Sequence, residues 1–131
     1  MKSKDELCNE LIKFSKQHLA FEFEDVYGTE ENCYKNYDYI LSNKPTNVAM
    51  EVGMAVNDIL LYGNIENKEE KERLNFFIDL ACDLNIYCNH FREKKHEKEQ
   101  DYIFFYWYDR NGVSNTNPYS YVTRFFWCKY K

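Results

Sequence analysis

The chain has 131 residues, of which 44% are hydrophobic and 18% aromatic, and its formal net charge is −5. This length suffices for a hydrophobic core without metal or disulfide support, and no apolar run approaches the ~20 residues of a membrane span. We therefore expect a single domain over residues 1–131 with no membrane partner, and the negative charge disfavours double-stranded DNA as a ligand.

The cysteine pattern and the N-terminal pattern predict a cytoplasmic protein. Apolar residues near the N-terminus are scattered among charged ones, so we expect no signal peptide. The five cysteines form an odd set without regular spacing, which is typical of reduced thiols. Four Cys and His side chains near the middle of the chain lack the paired spacing of zinc ligands. These four are Cys82, Cys88, His90 and His96. We expect no metal site and no other cofactor.

The first helix has a clear start signal. Ser3 and Glu6 form a capping-box pattern. Leu7, Leu11 and Phe14 then recur at helical spacing, so one face of this helix is apolar. We expect the helix to end near Leu19.

Residues 20–45 carry weaker signals. Phe21 and Phe23 alternate with Glu22 and Glu24, which fits either a short edge strand or a last helical turn. Residues 28–45 lack a hydrophobic period, so we expect a loop that contains one helical turn at residues 37–41.

Two further helices are predicted between residues 46 and 84. Thr46 or Asn47 caps the second helix, and Gly63 ends it after Tyr62. Apolar residues surround its axis, which predicts a central helix that is covered on nearly all sides. Asn67 caps the third helix. The expected buried stripe of the third helix comprises Leu74, Phe77, Ile78, Ala81 and Leu84.

Beyond the third helix, the pattern changes to a period of two. Residues 85–91 alternate in this way, as do two aromatic segments at residues 102–108 and 119–127. The predicted fold class is therefore α+β, with three main α-helices followed by a C-terminal three-stranded antiparallel β-meander.

The aromatic strands offer the strongest candidate binding surface. One face is expected to pack beneath the helices, while the other is rich in tyrosine. A tyrosine hydroxyl buried without a partner costs about 1–3 kcal/mol, so the second face is expected to be partly exposed or covered by polar groups. Two alternatives to a binding role are that the first helix, or the partner in a symmetric homodimer, covers this face. The candidate binding residues are Tyr106, Tyr108, Arg110, Tyr119, Tyr121, Arg124 and Trp127.

An acidic segment supplies the second candidate surface. Five acids in a predicted loop are expected to attract a basic partner, or to repel nucleic acid, rather than to perform acid–base chemistry. They are Glu22, Glu24, Asp25, Glu30 and Glu31. The sequence contains no phosphate-binding loop, and no nucleophile motif surrounds any of its cysteines.

These features favour a non-enzymatic small binding protein. An enzyme stays an alternative only if a cleft gathers a His with Cys or acidic side chains. The leading hypothesis is an inhibitor or immunity-type protein that engages another protein through the aromatic sheet face and the acidic segment. A phage or a mobile element is a compatible source. The alternative is a protein that binds or sequesters a nucleotide or cyclic nucleotide, by stacking on Tyr and Trp and by Arg–phosphate contacts.

Overall fold

A computed structural model describes residues 1–19 and 22–94, and this part of the chain is a bundle of helices. The five helices are α1 (Lys4–Leu19), α2 (Phe23–Tyr27), α3 (Glu30–Asn43), α4 (Pro45–Tyr62) and α5 (Lys68–Lys94). Over the same residues there is no β-strand. None of the helices in these ranges has the length and apolar character needed to cross a bilayer.

The predicted first helix is confirmed. The Ser3 hydroxyl accepts a hydrogen bond from the backbone N–H of Glu6 at 3.2 Å, as a capping box requires. Leu7, Leu11 and Phe14 are fully buried, so the apolar stripe faces the core.

The expected loop at residues 28–45 is instead helix α3. Thr29 caps this helix, and its hydroxyl accepts from the backbone N–H of Asn32 at 3.1 Å. Its buried residues are Cys33, Tyr37 and Leu41, which lie four apart. Only one of the three is aliphatic, and the core face therefore carries little hydrophobic signal in the sequence. The described part of the segment before α3 is helical: it forms α2, and the short edge strand that the sequence also allowed is absent from it.

The predicted strand at residues 85–91 is wrong, because α5 continues through it to Lys94. The buried stripe of α5 runs past Leu84 to Asn85 and Cys88, which keeps the helical spacing. The predicted α+β class is therefore wrong: residues 1–19 and 22–94 form a helical bundle with no strand among them. The two aromatic segments predicted as strands, residues 102–108 and 119–127, lie outside the described residues.

Neighbouring helices run antiparallel. The Lys4 ammonium lies 3.2 Å from the Ser42 hydroxyl, and Lys16 is ion-paired with Glu30, so α1 and α3 point in opposite directions. Helices α1 and α5 are also antiparallel. The ammonium of Lys2, just before α1, lies 3.0 Å from an Asp83 carboxylate oxygen late in α5. Near the other end of α1, the Phe14 ring lies 4.8 Å from the ring of Phe77, which comes earlier in α5.

A short connection joins α4 to α5, and α4 packs against both α5 and α3. Val52 and Val56 are fully buried, yet Met50 and Met54 on the same helix are 47% and 64% exposed. The described residues therefore leave one face of α4 uncovered, whereas the sequence predicts covering on nearly all sides.

Candidate functional site

The antiparallel arrangement brings five helix ends together at one end of the bundle. The last turns of α1 and α4, the first turns of α3 and α5, and the whole of α2 meet there. Residues 16–19, 22–35 and 58–73 form this end and carry 10 Asp and Glu against 5 Lys and Arg, a net charge of −5. The described residues together carry a net charge of −7, so most of the excess negative charge is at this acidic end.

Helix α2 presents part of that charge on a fixed support. Phe23 is only 7% exposed, and its ring lies 5.2 Å from the ring of Tyr27. The Tyr27 hydroxyl is in turn 3.0 Å from the hydroxyl of buried Tyr37. Gly28 ends the helix with a φ of 72°, a conformation that glycine adopts without steric cost. These contacts tie the buried side of α2 to the core.

The predicted acidic residues lie on the opposite side of α2. Glu22, Glu24 and Asp25 are exposed, and no ion pair joins them to another described residue. The other two predicted acids differ, because Glu30 pairs with Lys16 and Glu31 lies 3.3 Å from the Lys35 ammonium. Of the five predicted acids, three thus carry charges without an ion-pair partner among the described residues.

The remaining predicted site residues lie outside the described ranges. They are Tyr106, Tyr108, Arg110, Tyr119, Tyr121, Arg124 and Trp127. Their role in binding a protein or a nucleotide stays a prediction.

A cleft that sequence reasoning missed opens at the same end. It has a volume of about 270 Å³ and lies between the end of α1, the end of α4 and the beginning of α5. Its lining residues are His18, Ala55, Asp58, Ile59, Tyr62, Gly63, Glu70, Arg73 and Phe77. No sequence signal links these residues, since His18 and Arg73 are far apart along the chain.

An ion pair forms one wall of the cleft. Glu70 accepts from Arg73 Nη2 at 2.6 Å through one carboxylate oxygen, and from the backbone N–H of Asn64 at 3.0 Å through the other. The guanidinium carbon of Arg73 lies 6.0 Å from the centre of the Phe77 ring. Both oxygens of Glu70 are therefore engaged and the charge of Arg73 is balanced within the wall, while the buried Nε of Arg73 has no hydrogen-bond partner among the described residues.

Asp58 has a different environment. It is exposed, and it forms no ion pair with any described residue. Aromatic groups surround the opening: Tyr62 is 83% exposed, and the His18 ring stacks on Phe14 at 5.3 Å. With histidine counted as neutral, the lining residues carry a net charge of −1. Because Glu70 and Arg73 neutralise each other, this is the charge of Asp58.

The buried thiols do not supply a nucleophile. Burial raises the pKa of Cys8 to about 11, and it also raises the pKa of Cys33. A cysteine attacks as its thiolate, so these protonated thiols are inert near neutral pH. Among residues 1–19 and 22–94, no group of three or more His, Cys, Asp and Glu side chains is placed to hold a metal ion.

Comparisons with known proteins identify no relative for this chain. No protein-family model matches it, and searches of curated proteins and of solved structures find no significant match. Function is therefore inferred from the geometry of the acidic end.

Proposed function

We propose that the chain is a small non-enzymatic binding protein of the cytoplasm, of the inhibitor or immunity type, whose acidic end docks a basic protein partner. One observation carries the proposal: Glu22, Glu24 and Asp25 are exposed, free of ion pairs with described residues, and presented on a helix anchored by buried Phe23. Charges placed in this way accelerate association with an oppositely charged partner.

An apolar contact accompanies these charges. Val26 directly follows the three acids and is 58% exposed. Protein interfaces commonly combine an apolar centre with a polar rim. Val26 with its acidic neighbours has this composition on a small scale, which supports a protein as the partner.

The buried thiols support the cytoplasmic and non-enzymatic parts of the proposal. Cys8 and Cys33 are free and fully buried. Unpaired cysteines are typical of proteins that work in a reducing compartment. Their raised pKa values also remove them as candidates for a catalytic thiolate.

The test has two steps: the partner is identified first, and the effect of removing the acidic charges at α2 on its binding is then measured. The partner is identified as the protein that co-purifies with the tagged chain from its own host. We expect the triple variant Glu22→Gln, Glu24→Gln, Asp25→Asn to bind this partner about tenfold more weakly at low salt, mainly through slower association. Because salt screens exposed charges, the difference is expected to shrink at high salt.

A single-charge comparison supplies the control. Glu24→Gln and Glu6→Gln each remove one exposed carboxylate, but Glu6 lies in the first turn of α1, at the opposite end of the bundle. We expect Glu24→Gln to slow association and Glu6→Gln to leave it unchanged. Equal effects of the two variants, or no effect of the triple variant on the salt dependence, would contradict the proposal.

A further inference from the structure

We infer that the cleft lined by Asp58, Tyr62 and His18 receives a single arginine side chain of the protein partner. This inference rests on the proposed function and names the chemistry of the contact. Four properties of the cleft support it: its size, the engagement of its own ion pair, the unpaired carboxylate and the aromatic rim.

The size of the cleft suits a side chain better than a free cofactor. Ligand pockets in proteins usually measure about 300–1,000 Å³. The cleft, at about 270 Å³, lies below that range. It has room for one extended side chain, and its floor of Ala55, Ile59 and Phe77 offers an apolar surface to the methylene groups of that side chain.

The charge of the cleft favours a cation. Arg73 would repel one if it stood alone, but Glu70 accepts from its Nη2 at 2.6 Å. The carboxylate of Asp58 is then the unbalanced group among the lining residues.

The aromatic rim favours arginine over lysine. A guanidinium is planar, so it stacks on aromatic rings and forms paired hydrogen bonds with a carboxylate. Tyr62 presents an exposed ring at the opening, and Asp58 lies one helical turn before it on α4. Arg73 and Phe77 already show this kind of contact within the wall, at 6.0 Å.

The experiment uses the full chain and a small probe. N-acetyl-L-arginine N-methylamide is titrated into the ¹⁵N-labelled protein, and the neutral isostere N-acetyl-L-citrulline N-methylamide is titrated in parallel. We expect the arginine probe to shift the amide signals of Asp58, Tyr62 and Gly63, and the citrulline probe to leave them in place. Equal shifts with both probes, or no shift at these three residues with the arginine probe, would overturn the inference.

Two matched variants test the carboxylate. Asp58→Asn and Glu69→Gln each remove one exposed acid at the same end of the bundle, but Glu69 does not line the cleft. Loss of a hydrogen bond between charged groups corresponds to about a tenfold weaker binding of the probe, which we expect for Asp58→Asn. We expect Glu69→Gln to change probe binding by less than about twofold, as is usual for a screened surface charge. Similar losses in both variants would show general attraction instead of a specific site.

The two proposals fail in different ways. If the α2 triple variant weakens partner binding while Asp58→Asn leaves it unchanged, the cleft inference is wrong and the proposed function stands. If partner binding is unaffected by the α2 acids, the proposed function is wrong, and with it the assignment of the cleft to that partner.

Discussion

The Ser15 hydroxyl and the Tyr37 hydroxyl lie 2.5 Å apart in the core between α1 and α3. Both residues are 1% exposed, and Tyr37 OH also lies 3.0 Å from the hydroxyl of half-buried Tyr27. The three hydroxyl groups form a chain from the core to α2. Burial raises the pKa of Tyr37 well above its ordinary value, so the Tyr37 hydroxyl stays uncharged in the folded protein.

Breaking this chain is expected to destabilise the fold. Ser15→Ala removes one of the two hydroxyl partners of Tyr37, and Tyr37→Phe removes the hydroxyl that Ser15 and Tyr27 share. We expect each variant to lower the free energy of unfolding by about 1–2 kcal/mol. The double variant is expected to lose less than the sum, because the two residues share one hydrogen bond. Urea denaturation of all four proteins measures the coupling. Tyr39→Phe is the control, since Tyr39 is on the same helix but 61% exposed. Strict additivity would show that the hydroxyls do not interact.

Asn85 offers a route to a more stable protein. It is 6% exposed in the core face of α5, and its side-chain nitrogen has no hydrogen-bond partner within the part of the chain that the structure describes. An unpaired buried donor costs about 1–3 kcal/mol, so we expect Asn85→Leu to raise the free energy of unfolding by about 1 kcal/mol. The control is Asn9→Leu on the exposed side of α1, which should change stability by less than about 0.5 kcal/mol. A marked loss of stability in Asn85→Leu would mean that the larger side chain does not fit.

Gly63 is required by the close approach of the α4–α5 connection to Glu70. A Cβ atom at this position would lie 2.7 Å from the backbone oxygen of Ile59 and 2.9 Å from a Glu70 carboxylate oxygen. Since the first of these is a backbone atom, relief requires the chain to move, and we expect Gly63→Ala to cost about 1–3 kcal/mol. Thermal unfolding measures this cost. Glu66→Ala in the same connection is the control, because the Glu66 contact there uses its backbone N–H. An unchanged melting temperature in Gly63→Ala would show that the connection is loosely packed.

Stability is expected to fall at alkaline pH. Burial raises the pKa of the Cys8 thiol from 9.0 to about 11. The Tyr34 hydroxyl donates to an Asp5 carboxylate oxygen at 2.6 Å, and that bond raises the Tyr34 pKa from 10.0 to about 12. At a pH between the ordinary and the raised pKa of either group, that group has lost its proton in the unfolded chain and retains it in the folded chain. Stability therefore decreases as the pH rises through this range, and is fully present below pH 9.

Urea unfolding at increasing pH measures the alkaline loss. We expect Tyr34→Phe to reduce the fall in the free energy of unfolding above pH 10, where the tyrosine of the unfolded chain ionises. We expect Cys8→Ala to reduce the fall in the free energy of unfolding that begins near pH 9. If both variants kept the slope of the parent protein, other groups would be responsible for the loss.

The sequence by itself determined those helices whose start signals and apolar stripes are local. Ser3 with Glu6 predicted the start of α1, and Gly63 predicted the end of α4, because caps and hydrophobic spacing act within a few residues. Helix α3 escaped prediction because its core face consists of Cys33, Tyr37 and Leu41. The polar Asn85 similarly hid the continuation of α5, since its burial is decided by the helices packed around it.

Glu22, Glu24 and Asp25, at the start of α2, were found from the sequence because they are neighbours in the chain. Only the tertiary structure decided that they share one end of the bundle with Asp58, Glu70 and Arg73. Antiparallel packing brings together the end of one helix and the beginning of another, and thereby residues that lie tens of positions apart. Charge balance within the cleft follows from that packing, because Glu70 engages Arg73 and Asn64 whereas Asp58 has no ion-pair partner among the described residues.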